Sequence, residues 1–255
     1  MDFRDSDSVS NSETYRFVWL GIFGHPDDET SASAGTMVKW IKKGGEVHVV
    51  TATGGEEGTL GTGQIVIERD DLARVRELEL KKNLALYGAN PPFMLRYRDK
   101  DLNKENTEVL STKVLDIMQT VEPDVVVTFG PSGISNHPDH IAIHKATVVA
   151  YKNYRDAASK PDKPILLYPA IPSDIADLYG LELSEEEKQM DIVIDIEETI
   201  TLKIQGLKNY SSQEDAQEFA ERLSQRDDST EGFAVSRESD HNWQNSRIVS
   251  YLRSL

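Results

Sequence analysis

The chain has 255 residues, 38% of them hydrophobic, no cysteine and a formal net charge of −16. That length supports one domain with a real core, no stretch approaches the roughly 18 consecutive apolar residues of a membrane span, and the negative balance argues against a general affinity for nucleic acid or anionic lipid, which need a basic footprint. Without thiols there are no disulfides or thiolate ligands, so a transition metal would have to be held by His, Asp and Glu.

Residues 1–14 are polar and acidic rather than charged-then-apolar. They read as a tail on a single domain over 15–255, and the protein is expected in the cytoplasm. The apolar runs 16–23, 46–52, 93–97, 124–129, 165–168 and 191–196 are each short enough to be a buried strand. Amphipathic segments at 30–43, 68–88, 107–121 and 139–155 lie between them. Gly44-Gly45 and Gly88 punctuate helix ends, and Pro91-Pro92 and Glu122-Pro123 mark re-entry into strands.

In the helix over 68–88 the basic residues Arg69, Arg74, Arg76, Lys81 and Lys82 are interleaved with acids, as on a solvated face. The stretch 172–190, with Glu185-Glu186-Glu187, reads as a polar insertion over the surface, and 197–225 as helical with a break near Tyr210-Ser211-Ser212. Regular alternation of strand and helix predicts an α/β fold, a Rossmann-like, mostly parallel sheet with helices on both faces.

Two short motifs carry chemistry. His25-Pro26-Asp27-Asp28-Glu29 follows the first strand and His137-Pro138-Asp139-His140 follows the fourth. In a doubly wound sheet these strands are neighbours at the point where the winding reverses, and ligands bind at their carboxyl ends. Taken singly, Pro followed by acidic residues is ordinary helix-start chemistry. Taken together, the motifs and the turn after them hold four of the six histidines, and imidazole and carboxylate both ligate zinc well. A bound divalent metal is therefore expected, zinc by ligand type, with Fe2+ or Co2+ as alternatives. The spacing leaves open which of Asp27 and Asp28 is the ligand.

These residues resemble the PIG-L/LmbE-like family of zinc-dependent de-N-acetylases. Thr51-Ala52-Thr53-Gly54-Gly55-Glu56-Glu57-Gly58, Arg76-Glu77-Leu78-Glu79-Leu80 and Leu95-Arg96-Tyr97-Arg98-Asp99 support the resemblance. It implies His25, Asp28 and His140 as zinc ligands, Asp27 as general base, His137 as general acid or electrophilic partner, Asp139 as a residue tuning an imidazole, and Arg76 and Asp99 as substrate contacts. The activity implied is removal of the N-acetyl group from an N-acetylglucosamine-type sugar or conjugate by a metal-activated water. The partner expected is that small N-acetylated amino sugar or glycoconjugate, with no nucleic acid and no membrane insertion; a homo-oligomer is compatible with these properties.

Two departures stand out. The small-residue run Thr30-Ser31-Ala32-Ser33-Ala34-Gly35 keeps one glycine where the family often has a glycine-rich turn, and Tyr210 stands where the family has a histidine shortly before Ser-Gln. The second puts substrate identity in question. His144, one turn beyond His140, reads as either a partner of the site or a structural imidazole. A non-haem iron oxygenase, also built on two His and one carboxylate, and a metal-containing sugar-binding protein without turnover are the competing functions.

Overall fold

The computed structural model describes residues 16–226 and 229–255. The tail expected over 1–14 lies outside the described residues. In chain order the elements are β1 (Val18–Phe23), α1 (Asp28–Lys42), β2 (Glu46–Thr53), α2 (Arg69–Tyr87), β3 (Phe93–Tyr97), α3 (Thr107–Val121), β4 (Val125–Thr128), a short α4 (Gly133–Asn136), α5 (Pro138–Ala157), β5 (Ile165–Ala170), α6 (Ser173–Tyr179), β6 (Ile192–Asp195), α7 (Ile200–Asn209), α8 (Glu214–Ser224), β7 (Thr230–Val235) and α9 (Arg247–Arg253).

Among the described residues seven strands form one sheet in the order β3-β2-β1-β4-β5-β7-β6. β1 to β5 pair in parallel, whereas β7 runs antiparallel to both β5 and β6. Helices α1, α2 and α7 pack on one another, and α3 packs on α5, giving the two helical layers that a sheet buried on both faces requires. β4 is buried along its whole length, and Trp19, Leu20, Ile22 and Phe23 of β1 are fully buried. Winding reverses between β1 and β4, which pair with Ile22 opposite Thr128, so their carboxyl ends open side by side.

The six expected strands and four expected helices are all present, with ends shifted by a few residues. The expectation omits β7, a strand interrupted by Gly232, and it omits α9. The 172–190 insertion departs from a purely polar surface loop: it contains α6, and Ala176, Leu183 and Glu187 are buried. The break at 210–212 separates α7 from α8 as expected. The small-residue run also has a packing reason, since Gly35 lies so close to Ile196 that a Cβ would fall 2.7 Å from its Cδ1.

Candidate metal centre and active site

His25, Asp27 and Asp28 stand where β1 turns into α1, and His137, Asp139 and His140 where the β4 loop enters α5. Pro138 opens α5, and the His137 side chain caps it by accepting the Asp139 N–H at Nδ1, 3.2 Å. That capping bond leaves Nε2 as the remaining nitrogen of His137. Across the gap, His25 Nδ1 lies 3.1 Å from His140 Nε2. The Asp28 carboxylate closes the triangle, 3.5 Å from His25 Nδ1 and 3.4 Å from His140 Nε2. Gly24 makes this closeness feasible, because a Cβ there would sit 3.0 Å from the His140 ring.

The outer nitrogens of the two rings explain the triangle. His140 Nδ1 is 3.0 Å from the Gly133 carbonyl, to which it donates. His25 Nε2 faces Asp99 Oδ1 at 3.0 Å and Asp139 Oδ2 at 3.4 Å. The approach to Asp99 is close, yet both atoms lack a partner at hydrogen-bonding angles, so the attraction there is electrostatic. With a proton on each outer nitrogen, neutral rings would aim two lone pairs at one point beside a carboxylate, an arrangement that a cation completes.

The charges say the same. Burial opposes protonation of His25, but Asp139, Asp28 and Asp99 outweigh it and hold its pKa well above the ordinary imidazole value. Burial works against ionised Asp28 too, yet His140 and His25 hold it down at about 2. Burial lowers His140, so of the facing pair it is His25 that takes the charge.

Among the described residues two donor groups have ligand atoms within 4.8 Å of one another: His25, His137 and His140, and His25, Asp99 and Asp139. The second is a bracing set, because its carboxylates already accept backbone N–H groups. Asp139 takes those of Lys100 (2.7 Å) and Leu102 (3.1 Å), and Asp99 takes that of Glu57 (3.0 Å). The residues therefore fit a cation held on the other side of His25, between His25 Nδ1 and His140 Nε2, with Asp28 or His137 completing the set.

Asp27 stands apart from this triangle. Its backbone is in the left-handed region at φ 105°, a strained conformation for a residue with a side chain. Glu29 Oε2 accepts its N–H at 3.1 Å. Its Oδ2 accepts from Arg76 Nη2 at 2.8 Å, and Arg76 also donates to the carbonyls of Pro26 and Gly55. Gly55, at φ 66°, makes room: a Cβ would lie 2.3 Å from Arg76 Nη1. Burial pushes the Asp27 carboxyl well above the ordinary carboxylate range; Arg76 pulls it back, while Asp28, Asp215 and Glu29 push it further.

All the expected site residues except Asp139, which is fully buried behind His25, line a single hollow of about 280 Å³, together with Glu57, Gly58, Lys100, Ser135, Gln213 and Asp215. Arg76 and Asp99, read from sequence as substrate contacts, have most of their polar atoms turned to protein partners, Arg76 behind Asp27 and Asp99 behind His25. Tyr210, read as a change in substrate recognition, is fully buried and donates to Glu29 Oε1 at 2.7 Å. His144 donates to the Phe129 carbonyl at 2.8 Å and so ties α5 to the end of β4. Sequence reasoning assigned no role to Glu29, Gln213 or Asp215. Glu29 carried a signal as the last residue of the first motif and Gln213 as the glutamine of the Ser-Gln pattern; Asp215 had none.

The family profile described as GlcNAc-PI de-N-acetylase matches residues 20–151, and these contain every residue of the triangle and its bracing set. The chain belongs to the PIG-L family. The probable N-acetyl-alpha-D-glucosaminyl L-malate deacetylase 2 of Bacillus subtilis is 32% identical over 206 residues, covering 80% of this chain and 87% of that protein. The 1D-myo-inositol 2-acetamido-2-deoxy-alpha-D-glucopyranoside deacetylase of Rhodococcus erythropolis is 33% identical over 160 residues, and the chain spans only about half of its length, 54%.

Among solved structures, N,N'-diacetylchitobiose deacetylase from Pyrococcus horikoshii superposes with a TM-score of 0.65 at 22% identity, covering 87% of this chain and 84% of that one. GalB, a 4-carboxy-2-hydroxymuconate hydratase from Pseudomonas putida, superposes equally well, with a TM-score of 0.66 at 15% identity, covering 86% and 95%. The PIG-L fold alone thus does not select the reaction, and the site has to. Among the described residues no helix is long and apolar enough to cross a membrane.

Proposed function

We propose that the protein is a zinc-dependent N-deacetylase acting on an N-acetylglucosamine-type sugar or conjugate. The observation that carries this reading is the division between two adjacent aspartates: Asp28 faces both imidazoles, while Asp27 is held away on Arg76 at the wall of the same hollow. His25, Asp28 and His140 would hold the ion, which when bound supplies Lewis-acid polarisation of the acetamide carbonyl and acidifies water.

The remaining chemistry belongs to the side chains. Asp27 takes a proton from water as its oxygen bonds to the acetyl carbon; a carboxyl with a raised pKa is the better base for that transfer. Asp27 then passes that proton to the nitrogen as the C–N bond breaks, releasing acetate and a free amino sugar. Burial, reinforced by His25 and His140, lowers the His137 pKa, and His137 Nδ1 accepts the Asp139 N–H, so the neutral ring acts as the electrophilic partner, donating a hydrogen bond from Nε2–H as charge develops. Arg76 fixes Asp27, and Asp99 and Asp139 fix His25.

The hollow adjoins a second, of about 440 Å³, that shares Glu57, Gly58, Gln213 and Asp215 with it and adds Glu214 and Glu218. Of the four carboxylates there, Glu57 pairs with Arg98 and Glu218 with Arg222, and the negative surplus left on Glu214 and Asp215 favours a neutral or cationic conjugate over one bearing a carboxylate. An iron oxygenase could use the same three ligands, but it has no use for the spare base. Incubating the purified protein with N-acetylglucosamine compounds should release acetate, and chelation or Asp27→Asn should abolish the release. Acetate release that survives both treatments would overturn the mechanism.

A further inference from the structure

We propose that Glu187, carried by the segment between β5 and β6, is a positioning residue that sets the His140 ring for metal binding. The inference rests on the ligand set given above. Glu187 is fully buried, whereas its neighbour Glu185 has a side chain 82% exposed. Its Oε2 accepts the Ser132 N–H at 3.0 Å, the Ser184 N–H at 3.1 Å and the Ser184 hydroxyl at 2.6 Å. Its Oε1 accepts the Ile134 N–H at 3.4 Å.

The Ile134 N–H belongs to the same peptide unit as the Gly133 carbonyl, and that carbonyl receives His140 Nδ1 at 3.0 Å. A trans peptide is planar, with its N–H and C=O pointing in opposite directions. Holding the N–H on Glu187 therefore aims the C=O at His140, and the proton drawn to Nδ1 leaves Nε2 as the ring's lone pair. Phe129 guards the ring from the other side, stacked on it at 3.9 Å and 11°.

The loop needs such a clamp. Ile134 and Asn136 both have positive φ, at 61° and 57°, a costly conformation for a β-branched residue in particular. Gly130 packs directly on the Glu187 side chain, where a Cβ would fall 2.1 Å from its Cγ. Glutamine at 187 keeps the shape but turns an N–H2 towards backbone donors, which cannot accept it.

The test is Glu187→Gln, with Ser184→Ala as a milder change to the same clamp and Glu185→Gln as a control on the same segment. Zn2+ affinity is read by competition with a chromophoric chelator, and the site's geometry by the visible absorption of the Co2+-loaded protein. Glu187→Gln should raise the Zn2+ dissociation constant about tenfold or more, as loss of an outer partner of a ligand does, alter the Co2+ band, and lower kcat with KM unchanged. Ser184→Ala should shift both metal readouts in the same direction by less, and Glu185→Gln should leave them unchanged.

A folded Glu187→Gln protein with wild-type Zn2+ affinity and Co2+ spectrum overturns the proposal. If that variant does not fold, wild-type values in Ser184→Ala overturn it. A wild-type protein that holds neither ion does so too. Zn2+ binding that responds to Glu187 in a protein releasing no acetate would instead defeat the proposed activity and leave this role standing.

Discussion

Arg76 Nη2 sits 2.8 Å from Asp27 Oδ2, with both side chains about nine-tenths buried or more. The pair is anchored further by two carbonyls on the arginine, so its geometry belongs to the fold rather than to a bound substrate. Removing the arginine would strand a buried carboxylate. Arg76→Ala should therefore destabilise the protein by about 3–5 kcal/mol, read by urea denaturation.

Asp27→Asn should behave differently. It leaves the Arg76 guanidinium without its counter-charge, but asparagine keeps an acceptor oxygen and Arg76 keeps the carbonyls of Pro26 and Gly55, so the loss of stability should be smaller than in Arg76→Ala. Turnover should fall by about 10²–10⁴-fold, the range for losing a general base. Equal loss of stability and activity in this variant would remove Asp27 from the chemistry.

Tyr210 tests the one departure that sequence comparison connects to substrate. Tyr210→Phe removes the donor to Glu29 Oε1 and leaves a buried carboxyl short of a partner, at a cost of about 1–3 kcal/mol. Its ring is fully buried, so relative rates across a panel of N-acetylated sugars should be unchanged. A reordered panel would return Tyr210 to the substrate site.

Metal loading should depend on pH. Without a cation, carboxylates hold His25 protonated at pH values above its ordinary range, and a ligand must lose that proton before it can bind. Zn2+ affinity should therefore rise with pH from about 6 to 8, with proton release detectable by calorimetry in buffers of different ionisation enthalpy. The sign for stability is opposite. A raised imidazole pKa stabilises the metal-free fold below its unfolded value of about 6.5 and stops doing so as pH rises through the folded value. Thermal melts of chelated protein should accordingly fall as pH rises, and Zn2+ should reverse the trend.

The acidic outer hollow predicts an order of substrates. Among N-acetylglucosaminides differing only in the attached group, kcat/KM should be lowest for a carboxylate, and the disadvantage should shrink at high salt as charges are screened. Glu214→Gln with Glu218→Gln should narrow it as well. A carboxylate-bearing glycoside that is the best of the series would reverse this reading.

Much of this arrangement is written locally in the chain. Periodicity reveals the strands and helices that carry both motifs, because burial on two faces makes β1 and β4 uninterrupted apolar runs. Adjacency of the motifs then follows from where the winding reverses. β7 escapes because Gly232 interrupts a short run, and its direction against β5 has no local marker. The bracing of His25 by Asp99 and the clamp on Gly133 also escape, while Asp139 is legible through the family resemblance alone, as a residue tuning an imidazole. Glu187 reaches Ser132 across 55 residues of sequence, and three glutamates in a row look like solvent-facing charge until one of them is found without solvent. Tyr210 misleads for a related reason: its position in a motif suggests contact with substrate, whereas its hydroxyl serves Glu29 inside the fold.

The separation of 115 positions from His25 to His140 bears on how the protein assembles. A nascent chain that has not yet reached β4 possesses one imidazole and one carboxylate of the triangle, and no second imidazole to complete it. The second imidazole arrives only when β4 zips against β1, so an ion held by the proposed ligands would act as a rivet across the seam between the two halves of the sheet. Binding there favours every state with the seam closed over every state with it open, which makes cation capture a reporter of long-range strand pairing as well as a preparation for chemistry.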